Sequence, residues 1–301
     1  MKNISIVISA YNEEEKIEDC LKSVKNLADE IIFIDNSSSD KTAQIAKKYT
    51  DKIYTLPNDP VMLNRNKNYG FAKASCKWII SLDADERITT ELSSEIKKAV
   101  TGGIYSGFEI PRKNIIFGKW IKHSIWWPDY NLRLFKKGAG IFPLKHVHEK
   151  LEVDGKVGKL QNPMVHYNYQ TISQFIKKLD NTYTESETQN FIQSGKDIHW
   201  FDAIRWPIGD FVKTYFFQEG YKDGLHGLVL SQLQAFYSLV FFAKVWERKE
   251  NFKDLTPPDF LNQSSKELKR AFSEIWYWVY TAKMETNIAK KLYYKVRRRL
   301  R

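Results

Sequence analysis

The 301-residue chain is 43% hydrophobic and 28% charged, which excludes a disordered or low-complexity chain and leaves room for one large domain plus a smaller one, each with a core. Forty-seven Lys and Arg against thirty-six Asp and Glu give a formal charge of +11; this favours an anionic partner, whether nucleic acid, acidic lipid headgroups or a phosphorylated substrate. The two cysteines, Cys20 and Cys76, have no metal-type spacing, so neither a disulfide framework nor a zinc site is suggested and a reducing, cytoplasmic compartment fits.

The run Ile4 to Ser9 is almost continuously apolar and β-branched, as a parallel strand buried on both faces requires, and it is too short for a secretory leader. Glu13, Glu14 and Glu15 suit a helix N-terminus, and Ile17, Leu21, Val24 and Leu27 supply its inward stripe before a second strand, Ile31 to Asp35. Ser37, Ser38, Ser39 and Asp40 offer caps for a helix through Tyr49, followed by a short strand from Lys52 to Leu56. A third helix, Asn64 to Ser75, leads into a strand from Trp78 to Leu82 that stops at Asp83-Ala84-Asp85-Glu86, ahead of a helix over Thr89 to Val100. Repeated strand–helix units predict an α/β fold with a mostly parallel sheet. In such a sheet ligands bind beyond the carboxyl ends of the strands, where Tyr11, Asp35 and residues 83–86 should converge.

Two aspartates one residue apart after a buried strand can divide their work, one carboxylate on a hard divalent cation and one on a ribose or an outer position. The plain alternative is an ordinary turn that caps the next helix. Three strand–helix units, Asp35 at an equivalent strand end and a third acid, Glu86, favour the binding role.

Three ordered stretches carry a more specific signal: Ser9-Ala10-Tyr11-Asn12-Glu13-Glu14, then Ile34-Asp35-Asn36-Ser37-Ser38-Ser39-Asp40-Lys41-Thr42, then Ser81-Leu82-Asp83-Ala84-Asp85-Glu86. Together they resemble the family-2 glycosyltransferases of the GT-A fold, and within them the bacterial branch that includes lipopolysaccharide core β-glucosyltransferases. The resemblance implies a Rossmann-like catalytic domain over residues 1–165 and a mostly helical region over 166–301. It implies that Tyr11 and Glu13 line the nucleotide-base pocket, that Asp35 meets base or ribose, that Asp83 meets the ribose, and that Asp85 holds Mg2+ or Mn2+ on the diphosphate. The family's Arg-Asn-x-Gly stretch is replaced here by Lys67-Asn68-Tyr69-Gly70, with Arg65 two residues earlier, so either cation is a candidate for the nucleotide; a solvated helix face is the plain reading of both.

The middle segment joins Trp126, Trp127, Pro128, Asp129, Tyr130 and Arg133, aromatics suited to sugar rings beside one acid. An inverting transfer needs one carboxylate to take the proton of the acceptor hydroxyl. Asp129 is the candidate base, because it precedes Asn131-Leu132-Arg133-Leu134-Phe135 much as the family's acid precedes its Arg-Leu-Phe strand, and Arg133 joins the donor-binding set; Glu109 is a weaker substitute for the base. Ordinary turn and packing roles are the alternative. His146-Val147-His148-Glu149 alternates like a strand, and the resemblance favours His148 as a metal ligand beside Asp85.

From Thr171 the pattern becomes helical. Gly227 to Trp246 is the most hydrophobic stretch, but Ser231, Gln232, Gln234, Ser238 and Lys244 interrupt it, so it reads either as a buried helix or as one resting on a bilayer. The tail from Lys290 to Arg301 interleaves cations with apolar residues, which suits an anionic membrane or a phosphorylated glycolipid as well as a solvated end. The overall expectation is a cytoplasmic inverting transferase, peripheral at the membrane, that moves a sugar from a UDP-type donor to a hydroxyl of an envelope glycan or glycolipid. The competing readings are a nucleotidyltransferase, disfavoured because Tyr11 to Glu14 is acidic and lacks glycine; a nucleic-acid binder, for which no recognition motif is present; and a non-catalytic nucleotide- or membrane-binding relative.

Overall fold

A computed structural model describes residues 3–59, 62–144, 149–286 and 290–299. The chain forms two compact units, one of residues 1–120 and 126–168, the other of residues 121–125 and 169–301.

The first unit is built on β1 (Ile4–Ala10), β2 (Glu30–Asp35), β3 (Ile53–Thr55), β4 (Trp78–Asp83), β5 (Glu86–Arg87), β6 (Gly107–Ile116), β7 (Lys119–Trp120), β8 (Asp129–Lys136), β9 (Gly140–Ile141), β10 (Glu152–Val153), β11 (Val157–Lys159) and β12 (Met164–Tyr167). The main sheet runs β3-β2-β1-β4-β8-β6-β12-β5, with β7 and β11 also on β6, and β9 pairs separately with β10. The four strands at the β3 end are parallel, β8 is antiparallel to both β4 and β6, and β12 is parallel to β6.

Period-two alternation explains the continuous apolar runs. Ile4, Ile6, Ile8 and Ala10 of β1 face one core with Phe33, Ile80 and Leu82, while Val7 faces a second core with Ile32, Ile34 and Ile79. The first core is covered by α1 (Ile17–Val24), through Ile17, Cys20, Leu21 and Val24, near α2 (Thr42–Ala46). The second is covered by α3 (Leu63–Lys73), through Phe71. A fourth helix, α4 (Thr90–Ala99), returns to the first core through Leu92 and Ile96, and Thr89 caps it by accepting from the Leu92 N–H. Helix α1 starts later than its sequence signal because residues 12–14 are bonded to residues 38–42, as described below, and α2 ends at Ala46, short of Tyr49. Both cysteines are free and buried.

The second unit is helical: α5 (Ile172–Lys178), α6 (Thr184–Gln193), α7 (Asp202–Val212), α8 (Leu225–Glu250), α9 (Phe260–Thr286) and α10 (Lys291–Arg299). The Asp223 carboxylate accepts from the backbone N–H groups of Lys122 and His123, which ties residues 121–125 to this unit. Among the described residues α8 alone is long and apolar enough to cross a membrane by length and composition. It packs Leu230, Phe242 and Val245 inward, and its polar interruptions are used within the unit: Ser238 bonds Asp210, Lys244 pairs with Asp180 at 2.8 Å, and Arg248 pairs with Glu185.

Candidate functional site

Parallel β1 and β2 end in register at Ala10 and Asp35, so the two loops that follow leave the sheet side by side. They are laced together. Asn12 accepts from the Ser39 N–H at 2.8 Å and gives its own N–H to Ser38, the Glu13 N–H reaches Thr42 Oγ1 at 2.8 Å, the Glu14 N–H donates to the Asp40 carboxylate, and the Glu14 carboxylate accepts from the Lys41 N–H. Asn12 adopts a left-handed φ of 52°, which Asn tolerates better than most residues. Tyr11 stands exposed on this rim, buried Asp35 braces the Ser38 N–H, and the Glu13 carboxylate pairs with Lys16 at 3.0 Å. Beneath them Asn66 Nδ2 donates to Asn36 Oδ1, and Asn36 Nδ2 donates in turn to the Ser9 hydroxyl.

Beside the rim, β4 delivers Asp83. Lys67 Nζ reaches Asp83 Oδ1 at 2.6 Å and Arg133 Nη2 reaches Oδ2 at 2.6 Å. Burial opposes ionisation of Asp83, but the two cations outweigh it and hold the carboxyl well below the usual carboxylate range. Burial likewise works against the Arg133 guanidinium, and Asp83 and Glu86 overcome it, so Arg133 stays charged. Glu86 is fully buried; it accepts from Arg133 at 2.7 Å and from the Asp83 N–H at 3.0 Å, so the turn is bonded to its own strand end. Lys67 arrives here because α3 lies close on the sheet: a Cβ on Gly70 would come within 2.4 Å of Val7 Cγ1. Arg65 projects away, mostly exposed, and pairs with Asp59 at 3.3 Å.

The middle strands bring a row of polar side chains into register. Arg112 opposes Asp129 across β6 and β8, and Asn114 opposes His166 across β6 and β12. Arg112 Nε and Nη2 both donate to Asp129 Oδ2, at 2.8 and 2.7 Å, Asn114 Nδ2 adds a bond at 3.2 Å, and Asn131 Nδ2 donates to Oδ1 at 2.8 Å. Asn114 Oδ1 lies 2.7 Å from His166 Nδ1, and His166 Nε2 lies 3.5 Å from Asp85 Oδ2. The two acids singled out for base and metal are thus linked through one amide and one imidazole.

Residues 5–151 match the family model described as glycosyl transferase family 2. Over 263 residues the chain is 30% identical to an uncharacterized glycosyltransferase of Rickettsia typhi, covering 82% of this chain and 88% of that one. The chain belongs to glycosyl transferase family 2. Another relative is the lipopolysaccharide core biosynthesis glycosyltransferase LpsC of Rhizobium meliloti, 26% identical over 81% of this chain and 92% of LpsC. Among solved structures, TarS 1–349 of S. aureus in complex with UDP-GlcNAc aligns over 83% of this chain and 92% of its own, at 14% identity and a TM-score of 0.45.

In this family-2 glycosyltransferase the structure brings Tyr11, Glu13, Asp35, Lys67, Asp83 and Arg133 to the carboxyl ends of the parallel strands or the strand beside them, and leaves Arg65 on an outer helix face. His148, with His146, lies outside the described residues. For a divalent cation the donor chemistry is partial: both oxygens of Asp83 are engaged by cations, and among the described residues no three His, Cys, Asp or Glu side chains converge as a cage. A hard cation that takes one or two carboxylates and completes its shell with substrate phosphates and water fits Asp85 as its protein anchor. Arg112, Asn114 and His166 escaped the sequence reading. Arg112 and Asn114 stand at i and i+2 and so on one face of a strand, but the polar run Arg112-Lys113-Asn114 hides that alternation, and His166 carries no local signal.

Proposed function

We propose that this chain is an inverting glycosyltransferase that moves a sugar from a nucleoside-diphosphate donor, a UDP-sugar, to a hydroxyl of a cell-envelope glycan or glycolipid, with LpsC supporting the acceptor class. The observation that carries the reading is the Asp129 carboxylate, oriented by Arg112, Asn114 and Asn131 and tied through His166 to Asp85.

Tyr11, Glu13 and Asp35 on the laced rim take the base and ribose, and Arg65 is the outer cation available to the nucleotide. Lys67 and Arg133 keep Asp83 ionised; each carboxylate oxygen has a second lone-pair direction, which a ribose hydroxyl can use. Asp85, with His148, would hold Mg2+ or Mn2+, which supplies charge neutralisation of the leaving diphosphate. Asp129 takes the acceptor hydroxyl proton as that oxygen bonds the anomeric carbon, while the bond from that carbon to the diphosphate breaks on the opposite face and the electron pair leaves with the nucleotide. A base bonded through nitrogens on one oxygen and one amide on the other is held in a single rotamer, so little reorganisation is needed at reaction.

The test pairs binding with turnover. A panel of nucleotide sugars is scored by thermal stabilisation with Mn2+ and with chelator, and the stabilising donor is then incubated with delipidated and lipid-linked envelope glycans. The reading expects a metal-dependent stabilisation by a uridine diphosphate sugar and labelled product lost in Asp129→Asn. Stabilisation without transfer in any acceptor fraction overturns the catalytic reading, and no stabilisation by any donor overturns the donor site.

A further inference from the structure

Helix α9 carries an apolar stripe that the second unit does not cover. At about 100° per residue, Leu261, Leu268, Phe272 and Trp276 fall within an arc of about 80°. All four are exposed, Leu261 at 80% and Phe272 at 61%. The acids Glu267 and Glu274 of the same helix avoid that stripe, while its bases stand on both sides, Lys266 and Arg270 away from it. Lys269 and Lys283 lie along it, whereas Glu267 and Glu274 fall on the far side, where Glu267 pairs with Arg205 at 2.6 Å. Helix α10 packs beside it: Tyr294 stacks on Tyr280, and the Arg298 guanidinium sits 5.1 Å from the centre of the Tyr277 ring. Residues 290–301 hold seven Lys and Arg and no acid, and Lys291, Lys295, Arg297 and Arg299 point to solvent.

We propose that α9 and α10 form a docking surface for an anionic lipid bilayer, with the α9 stripe seated among the acyl chains and the cations of both helices on the headgroups. An amphipathic helix with bulky apolar residues on one face and Lys and Arg beside them is the pattern of an interfacial helix, and Trp276 and Tyr293 belong to the residue types that settle at headgroup depth. Charge selects this occupant over a second copy of the chain: a like surface brings the same cations into contact, while an acidic leaflet complements them and neutralises each in place. The surface belongs to helices of the second unit, whereas the strand-end site belongs to the first, and the proposal does not depend on the transfer chemistry.

The experiment is co-sedimentation of the full chain with vesicles of phosphatidylcholine alone and of phosphatidylcholine with phosphatidylglycerol. The chain is expected to sediment with the anionic vesicles and stay in solution with the neutral ones. Phe272→Ser/Trp276→Ser and Lys291→Glu/Lys295→Glu/Arg299→Glu should each weaken partition at least tenfold, and brominated lipid should quench a tryptophan signal that is missing in Trp276→Phe. Donor-induced thermal stabilisation, unchanged in all variants, shows that they are folded and reads the strand-end site separately. Equal binding to neutral vesicles, no binding to either, or parent-like binding of both multiple variants overturns the proposal. So does a lipid-free dimer that Phe272→Ser/Trp276→Ser turns into a monomer, because the stripe then belongs to a second copy.

Discussion

Arg112 and Asp129 face each other across the β6–β8 ladder, and the Nε and Nη2 of the arginine both close on Oδ2 of the aspartate, at 2.8 and 2.7 Å. A fork of this kind fixes a carboxylate in direction as well as in place, which a flexible ammonium does not do. Arg112→Lys keeps the charge and loses the fork, so kcat should fall by about ten- to a hundredfold with donor-induced thermal stabilisation preserved. Parent-like kcat in that variant would show that the orientation of Asp129 is irrelevant to turnover.

Asp85 stands at the other end of the same polar row, 3.5 Å from His166 Nε2. Asp85→Asn removes the carboxylate proposed to hold the cation with almost no change of shape. It should erase the Mn2+-dependent part of the donor stabilisation and abolish metal-dependent turnover, while the melting temperature without ligand stays near that of the parent. Retained Mn2+ dependence would move the cation to other residues.

The parallel strands β1 and β2 were legible because each is buried on both faces and so is written in near-continuous apolar residues, as in Ile4 to Ile8 or Ile31 to Ile34. The strands that carry Asp129 and its partners were harder to read. β8 begins Asp129-Tyr130-Asn131, which reads as a polar turn, and it pairs antiparallel between β4 and β6, contacts that no local period encodes. Arg112, Asn114 and His166 gain their meaning from partners far along the chain, Asn114 from Asp129 15 residues away and His166 from Asn114 52 residues away. The helix ends were misjudged for a related reason. Glu13 and Glu14 look like first-turn acids, yet their backbone groups are bonded to Thr42 and Asp40, and α1 starts only at Ile17. The apolar stripe of α9 went unread because its spacing is that of a core-facing helix.

Gly70 lets α3 lie close enough to β1 and β2 for Lys67, one turn earlier, to reach Asp83. A methyl group at position 70 would stand 2.4 Å from Val7 Cγ1 and 3.2 Å from Ile34 Cγ1, both in a packed core. Gly70→Ala should therefore destabilise by about 1–3 kcal/mol despite the better helix propensity of alanine. Val7→Ala opens space at the clash, so the double variant should be more stable than the sum of the single losses. Strict additivity in urea unfolding would refute the clash.

Glu30 opens β2 at the end of the sheet opposite the site, nearly devoid of solvent. Burial alone would raise its pKa above the ordinary 4.5, yet the Lys52 ammonium, the Ser5 hydroxyl and the N–H and hydroxyl of Ser75 bring it down to about 2. A folded-state pKa below the unfolded one means that this group stabilises the fold above pH about 4.5, and that the contribution disappears as pH falls from there towards about 2. Glu30→Gln keeps the shape, removes the charge and leaves Lys52 without its partner, so it should lower stability at neutral pH by about 2 kcal/mol. It should also flatten the acid limb, with the parent and variant curves converging between pH 4.5 and 2. Urea midpoints measured across that range decide the matter: two curves that stay parallel down to pH 2 would mean that Glu30 does not carry the proton uptake assigned to it.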